Sequence, residues 1–264
     1  MTCLFCAVLK NRYWIILYLN RMILLDKIKT KIKNLLYTKH PVAAYNLLAA
    51  TYDKQKGNLL MELDEQLLDK MLSRADLKGK SVVDLGCGTG RHWNKLFDHG
   101  VQKVIGVDSS KKMLEVLLGK FPTAETHLAI GSKMKEVKDL SADTIVSNLT
   151  IGYIKDIETA FREWHRILKK GGEIIITEYH PAVLQMGGGR TFKHNNKTIA
   201  VVNFVHTLGK VRALAAQMNW KETGFSEKSI DESLRDYYAD QNALTTYEKF
   251  KGTKLIYGLH FTKA

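Results

Sequence analysis

Ser81-Val82-Val83-Asp84-Leu85-Gly86-Cys87-Gly88-Thr89-Gly90 is the stretch that decides the fold of this 264-residue chain. A β-branched apolar run leads into three alternate glycines, and a helical pattern opens at Arg91. Glycine tolerates positive φ and lets a ligand approach the backbone closely. The helix beyond offers free N–H groups to a polar ligand. A second apolar run, Val104-Ile105-Gly106-Val107, ends in Asp108, 18 residues past Gly90. An acid at that place bonds the hydroxyls of a ribose. Together the two strands point to a nucleoside-containing cofactor.

The spacing narrows the choice. A dinucleotide fingerprint reads GxGxxG, so that the backbone approaches a pyrophosphate. Here Arg91 stands where that fingerprint needs its third glycine. Asp84, two residues before Gly86, would repel a pyrophosphate and attract an ammonium. A ligand with a ribose and an amino-acid head fits, and S-adenosylmethionine is such a ligand. Cys87 reads as a small loop residue.

Outward from this centre, strands are expected at 80–85, 103–107, 125–130, 143–149, 173–179, 219–225 and 254–262. Helices are expected at 58–74, 91–99, 111–119, 157–169, 207–218 and 230–238. Strand–helix alternation every few tens of residues is the mark of βαβ units and a parallel sheet. The stretch 182–204, with Gly187-Gly188-Gly189, breaks the rhythm and reads as an insertion at the carboxyl edge of the sheet. Ligands of such sheets bind outside the carboxyl ends of the strands, so the loops after 85, 107, 130, 149 and 179 are the ones to inspect.

At this point the chain resembles the class I S-adenosylmethionine-dependent methyltransferases, in particular the type 11 group. That group includes the ubiquinone/menaquinone-biosynthesis and malonyl-carrier-protein methyltransferases. Residues 45–53 (YNLLAATYD) resemble its tyrosine-bearing N-terminal segment, 82–90 (VVDLGCGTG) its first motif and 104–114 (VIGVDSSKKML) its second. Residues 144–154 (TIVSNLTIGYI) resemble the fourth-strand motif, and 168–172 (LKKGG) the turn before strand five. The resemblance covers about residues 42–262. It implies a Rossmann-like three-layer α/β/α sandwich, whose seven-stranded, mostly parallel sheet has its last strand antiparallel. It implies a methyltransferase domain over 42–264, with a lid insertion at about 181–206. It also implies a cofactor site of Tyr52, Asp84, Gly86, Cys87, Gly88, Gly90, Asp108, Ser109, Met113, Ser132, Lys133, Asn148 and Leu149. One position departs from the pattern: Ile130-Gly131-Ser132-Lys133 lacks the usual Gly-Asp pair, leaving Ser132 to accept from the adenine amino group.

Methyl transfer asks the protein chiefly for positioning and exclusion of water. A base is needed only when the acceptor carries a proton of high pKa. The catalytic expectations are His180, ahead of Pro181 at the end of strand five, and Tyr153 beside the fourth strand. Glu178 and Tyr179 lie nearby, and His206 reads as a helix-opening residue. The expected reaction is O- or C-methylation of a small molecule. Alternatives are an RNA or protein methyltransferase, or a cofactor-binding protein without catalysis. Asn148-Leu149-Thr150-Ile151 lacks the proline and aromatic ring that stack a flipped base, so specific nucleic-acid binding is not expected.

The net charge of +13 is uneven: residues 1–40 carry eight cations against one anion. Residues 13–25 are apolar but interrupted at Asn20-Arg21, short of the ~20 residues of a membrane span. Between 22 and 36, Leu25, Ile28, Ile32 and Leu35 recur at helical spacing among lysines. Residues 1–41 therefore read as a basic amphipathic segment. It either covers the domain or touches an anionic membrane surface through 13–36. Residues 1–21 also read as an upstream extension before a start at Met22. Cys3 and Cys6 have no second pair to complete a zinc site, and no metal is expected. Three cysteines make no disulfide framework, so a cytoplasmic protein is expected.

Overall fold

The computed structural model describes residues 37–55 and 57–264. In chain order the elements are β1 (Thr38–Lys39), α1 (Pro41–Leu48), α2 (Leu59–Leu72), β2 (Ser81–Leu85), α3 (Trp93–Asp98), β3 (Lys103–Asp108) and α4 (Lys111–Lys120). There follow β4 (Glu125–Leu128), β5 (Ala142–Asn148), α5 (Ile157–Ile167), β6 (Leu168–Tyr179) and α6 (Pro181–Gln185). The chain ends with β7 (Thr191–His194), β8 (Lys197–Val201), α7 (Leu208–Gln217), β9 (Trp220–Ser229), α8 (Arg235–Asp240), α9 (Leu244–Phe250) and β10 (Lys254–Lys263).

The residues divide into two compact units. The larger, His40–Arg190 with Val201–Ala264, holds a seven-stranded sheet in the order β4-β3-β2-β5-β6-β10-β9. β2, β3, β4, β5 and β6 are mutually parallel, and β10 is antiparallel to both β6 and β9. Strand order reverses at β2, where Val83 lies between Ile105 of β3 and Ile145 of β5. Both faces of the sheet are covered, so Val82, Val83, Asp84 and Leu85 of β2 are all buried. Val83, Ile145, Ile174 and Ile176 pack under α5 and α7 with Phe161, Trp164 and Val211. Their neighbours Val82, Val146 and Ile175 face the opposite layer, with Leu68, Leu72, Trp93 and Leu117. This is the expected three-layer Rossmann-like sandwich with its last strand antiparallel.

Helix ends follow local chemistry. Asn58, Ser110, Asp156 and Thr207 each accept from a backbone N–H in the first turn of α2, α4, α5 and α7. In α5, Ile157, Ala160, Phe161, Trp164 and Ile167 are buried at the spacing of one helical face.

All seven main strands lie where the sequence placed them, although β6 starts earlier, at Leu168. The helices α1, α6 and α9 are additions, and the helix expected at 230–238 is a 3-10 turn, Glu232–Leu234, running into α8. The smaller unit includes β1 and Thr191–Ala200; its three-stranded sheet has the order β1-β8-β7. The expected insertion thus carries α6 and a β7–β8 hairpin. The Cys3/Cys6 pair and the basic segment 13–36 lie outside the described residues. Among the described residues, no helix is long and apolar enough to cross a membrane.

Candidate active site

A cavity of about 440 Å³ opens at the carboxyl ends of β2, β3, β4 and β5, beside the strand-order reversal. That volume accommodates one nucleoside-sized ligand. The loop after β2 is shaped by glycine: Gly86, Gly88 and Gly90 have φ of +70°, +53° and +71°. At Gly86 a side chain is excluded twice, because an added Cβ would lie 2.1 Å from Thr150 Oγ1. Gly90 packs against Leu117 and Phe121, where an added Cβ would approach to 3.2–3.3 Å.

Asp108 closes β3. Its Oδ2 accepts from Gly88 N at 2.8 Å and its Oδ1 from Ser110 N at 2.7 Å. Burial raises its pKa, and these N–H groups oppose the rise. Each carboxylate oxygen keeps acceptor capacity for a ribose hydroxyl. Ser109, Met113, Ala129, Ile130 and Ser132 continue the wall. Trp164 Nε1 fixes that last loop by donating to Gly131 O at 2.8 Å.

On the opposite side stand Tyr45, Tyr52, Asn148, Leu149, Thr150 and Tyr153. The Tyr45 and Tyr153 hydroxyls are 2.6 Å apart, and Tyr45 packs edge-on against both Tyr52 and Tyr153. Burial, followed by the proximity of Tyr153, holds Tyr45 well above the ordinary tyrosine range. The segment bearing Tyr45 and Tyr52 is tied to the cofactor loops. Thr89 Oγ1 donates to Asp53 Oδ1 at 2.6 Å, and Ser110 Oγ donates to Asn46 Oδ1 at 2.7 Å.

Beneath the loop is a polar centre that sequence reading did not reveal. Asp64, fully buried on α2, pairs with Arg91 and His92 and accepts from Thr177 and Asn148. Burial raises its pKa, but the His92 hydrogen bond and charge, Arg91 and Thr177 outweigh that and hold it at about 2. Asn148 Nδ2 is committed to Asp64 and Thr177, leaving Oδ1 buried with no partner among the described residues. An orphaned acceptor in the cavity wall suits a ligand ammonium.

Of the residues expected at the site, the structure gathers Tyr52, Gly86, Gly88, Asp108, Ser109, Met113, Ser132, Asn148, Leu149 and Tyr153 around this cavity. Asp84 lies behind the loop, where its Oδ2 accepts from Trp93 Nε1 at 2.8 Å; burial pushes its pKa to about 7. Cys87 is packed inward against Gly106, and burial pushes its thiol up. Lys133 is exposed on the turn after β4, its backbone N–H bonded to Ile130 O. His180 does not join the cavity. Pro181 starts α6 directly after it, and His180 Nδ1 accepts from Ala182 N at 3.1 Å as the helix cap. Its Nε2 faces Glu227 at 3.8 Å. Burial lowers its pKa, opposed by Glu227. His206 is likewise held in the frame, 2.8 Å from Ile154 O. No cluster able to hold a metal occurs among the described residues.

A glycine loop after the first strand of this sheet, an acid after the next and a nucleoside-sized cavity between them define the architecture of class I S-adenosylmethionine-dependent methyltransferases. Residues 83–176 match the family model described as a methyltransferase domain. The chain is 26% identical to the ubiquinone/menaquinone biosynthesis C-methyltransferase of Campylobacter jejuni, over 52% of this chain and 63% of that protein. It is 27% identical to the malonyl-[acyl-carrier protein] O-methyltransferase of Hamiltonella defensa, over 51% and 50%. It is 34% identical to phosphoethanolamine N-methyltransferase 3 of Arabidopsis thaliana, over 45% and 24%. The matches thus span from a quarter to under two thirds of these relatives. Its fold is shared with the S-adenosylmethionine-dependent methyltransferase of Mesorhizobium loti, at a TM-score of 0.56 and 19% identity over 73% of this chain and 95% of that one. In sequence and in fold the chain resembles class I methyltransferases of the type 11 group, whose cofactor is S-adenosylmethionine.

Proposed function

We propose that this protein transfers a methyl group from S-adenosylmethionine to an oxygen or carbon atom of a small molecule. The observation that carries the proposal is one cavity joining the glycine loop and Asp108 to a wall of three tyrosines. When bound, the cofactor supplies a methyl group activated on a sulfonium. Asp108 is suited to the ribose hydroxyls, Ser132 to the adenine amino group, and Asn148 Oδ1 to the ammonium. Tyr45, Tyr52, Leu149, Thr150 and Tyr153 enclose the acceptor end and exclude water.

Tyr153 takes the acceptor-orienting role. The Tyr45 and Tyr153 hydroxyls share one hydrogen bond, so one of the two keeps its proton for an acceptor oxygen. The relatives include enzymes named for carbon, oxygen and nitrogen, so the cavity lining supports this choice of acceptor atom: its carboxylates are Asp108, suited to ribose, and Asp156, the cap of α5. Neither stands on the tyrosine wall, where an amine acceptor would need a counter-charge. The insertion at 181–206 is the proposed source of selectivity.

The test is release of S-adenosylhomocysteine across phenols, quinone precursors, carboxylates, amines and tRNA. Turnover with a phenol, enol or carboxylate is expected, and Tyr153→Phe should lower it by about 10²-fold or more if the hydroxyl moves a proton. Turnover confined to amines or tRNA would refute the proposal.

A further inference from the structure

Arg190 follows the three glycines Gly187–Gly189, and its side chain is 8% exposed. It makes an ion pair with Glu178 on β6 and donates through Nη1 to Leu149 O at 2.6 Å. Its guanidinium carbon lies 4.6 Å from the centre of the Tyr153 ring and 5.7 Å from that of Tyr179. Glu178 also accepts from Gly152 N at 2.8 Å and Tyr179 N at 2.7 Å. Its carboxylate charge is therefore fully engaged behind the tyrosine wall. The guanidinium braces the backbone on both sides of that wall, at Leu149 directly and at Gly152 through Glu178.

This placement bears on the acceptor. Aromatic faces attract cations, and a cluster of tyrosine rings is the usual means of holding an alkylammonium group. Tyr45, Tyr52 and Tyr153 form such a cluster at the acceptor end, with ring centres 6.2 and 5.3 Å apart. Here, however, the protein's own cation already stacks on the Tyr153 ring from behind the wall. A second cation would meet an occupied ring and a like charge, with no free carboxylate to offset it. An electron-rich acceptor would meet two hydroxyls and a positive charge behind them.

We propose that Arg190 is a positioning and specificity residue, which turns the tyrosine cluster away from ammonium acceptors and towards anionic or electron-rich ones. The chemical class is a phenol, enol or carboxylate, methylated at oxygen or at the adjoining activated carbon. The inference rests on the methyltransferase reading above and assigns the substrate class to a residue outside the cavity lining.

The test uses the full chain saturated with S-adenosylhomocysteine and two probes, 4-nitrophenolate and tetramethylammonium, titrated by calorimetry and NMR. Wild type should bind 4-nitrophenolate at least about tenfold more tightly than tetramethylammonium, within the range of a cation–π contact plus a charge. Arg190→Met removes the charge behind the ring and should reverse that order, whereas Arg190→Lys should keep it. A merely structural role would weaken both probes together. If Arg190→Met does not fold, the double variant Arg190→Met/Glu178→Gln decides the matter. It leaves no lone buried charge, and should bring the two affinities within about threefold of each other. Equal binding of both probes by wild type, no binding of either at millimolar concentration, an unchanged order in folded Arg190→Met, or an undiminished preference for 4-nitrophenolate in the double variant would overturn the proposal. Failure of wild type to bind S-adenosylhomocysteine would instead sink the methyltransferase reading itself.

Discussion

Replacing Gly86 by alanine probes the cofactor loop at its tightest point. At φ +70° an L-residue sits in the left-handed region, at a cost of about 1–2 kcal/mol. The new Cβ would lie 2.1, 2.6 and 2.9 Å from Oγ1, Cγ2 and Cβ of Thr150. Thr150 is not free to retreat. Its Oγ1 donates to Asn148 O at 2.9 Å, and the preceding Leu149 is pinned through its N–H to Thr177 O and through its carbonyl to Arg190. Overpacking of such a site costs a further ~1–3 kcal/mol. Urea unfolding should therefore show Gly86→Ala destabilised by about 2–5 kcal/mol, with the m-value unchanged. Adding Thr150→Ala removes the two shorter contacts and should restore about 1–3 kcal/mol, while the backbone cost remains. A loss below ~0.5 kcal/mol, the range of a neutral surface change, would refute the argument. So would a Thr150→Ala background that restores nothing.

Two further predictions concern buried polar groups and the adenine end. Burial pushes Asp84 to about 7, far above the ~3.9 of an unfolded chain. The folded state thus holds a proton that the unfolded state has released, so stability should fall by a few kcal/mol as pH rises from about 4 to 7. Denaturation across that range should show a flatter profile for Asp84→Asn, and parallel profiles would contradict the assignment. Ser132→Asp should tighten S-adenosylmethionine binding by calorimetry, because a charged acceptor bonds the adenine amino group more strongly. Unchanged affinity would move adenine to another part of the wall.

The inner strands β2, β3, β5 and β6 were legible in the sequence because each carries an apolar run closed by glycine, an acid or a turn, all of them local signals, whereas β4 and β9 at the sheet edges are mostly polar. The glycine loop and the acid that line the cavity were legible for the same reason, since Gly86 and Gly88 come directly after β2 and Asp108 closes β3. Arg190 and Asp64 were hidden. Their partners lie far away in sequence or across a glycine run, and neither residue stands in a motif. His180 shows the opposite limit. Its position at the end of β6 was right, but Pro181 begins a helix there and the imidazole is taken up as its cap. Position along a strand does not fix where a side chain spends its hydrogen bonds. Asp84 fell inward for a comparable reason, since Trp93 from α3 offers its N–H behind the loop.

The central claim is that the cavity between Gly86–Gly90 and Asp108 takes S-adenosylmethionine, and one calorimetric titration tests it most directly. The account predicts one-to-one binding to the wild-type chain, weakened by about 1.5–3 kcal/mol in Asp108→Ala through loss of hydrogen bonds to a charged group. Absence of binding, equal affinity in the variant, or tighter binding of a nicotinamide dinucleotide would contradict it.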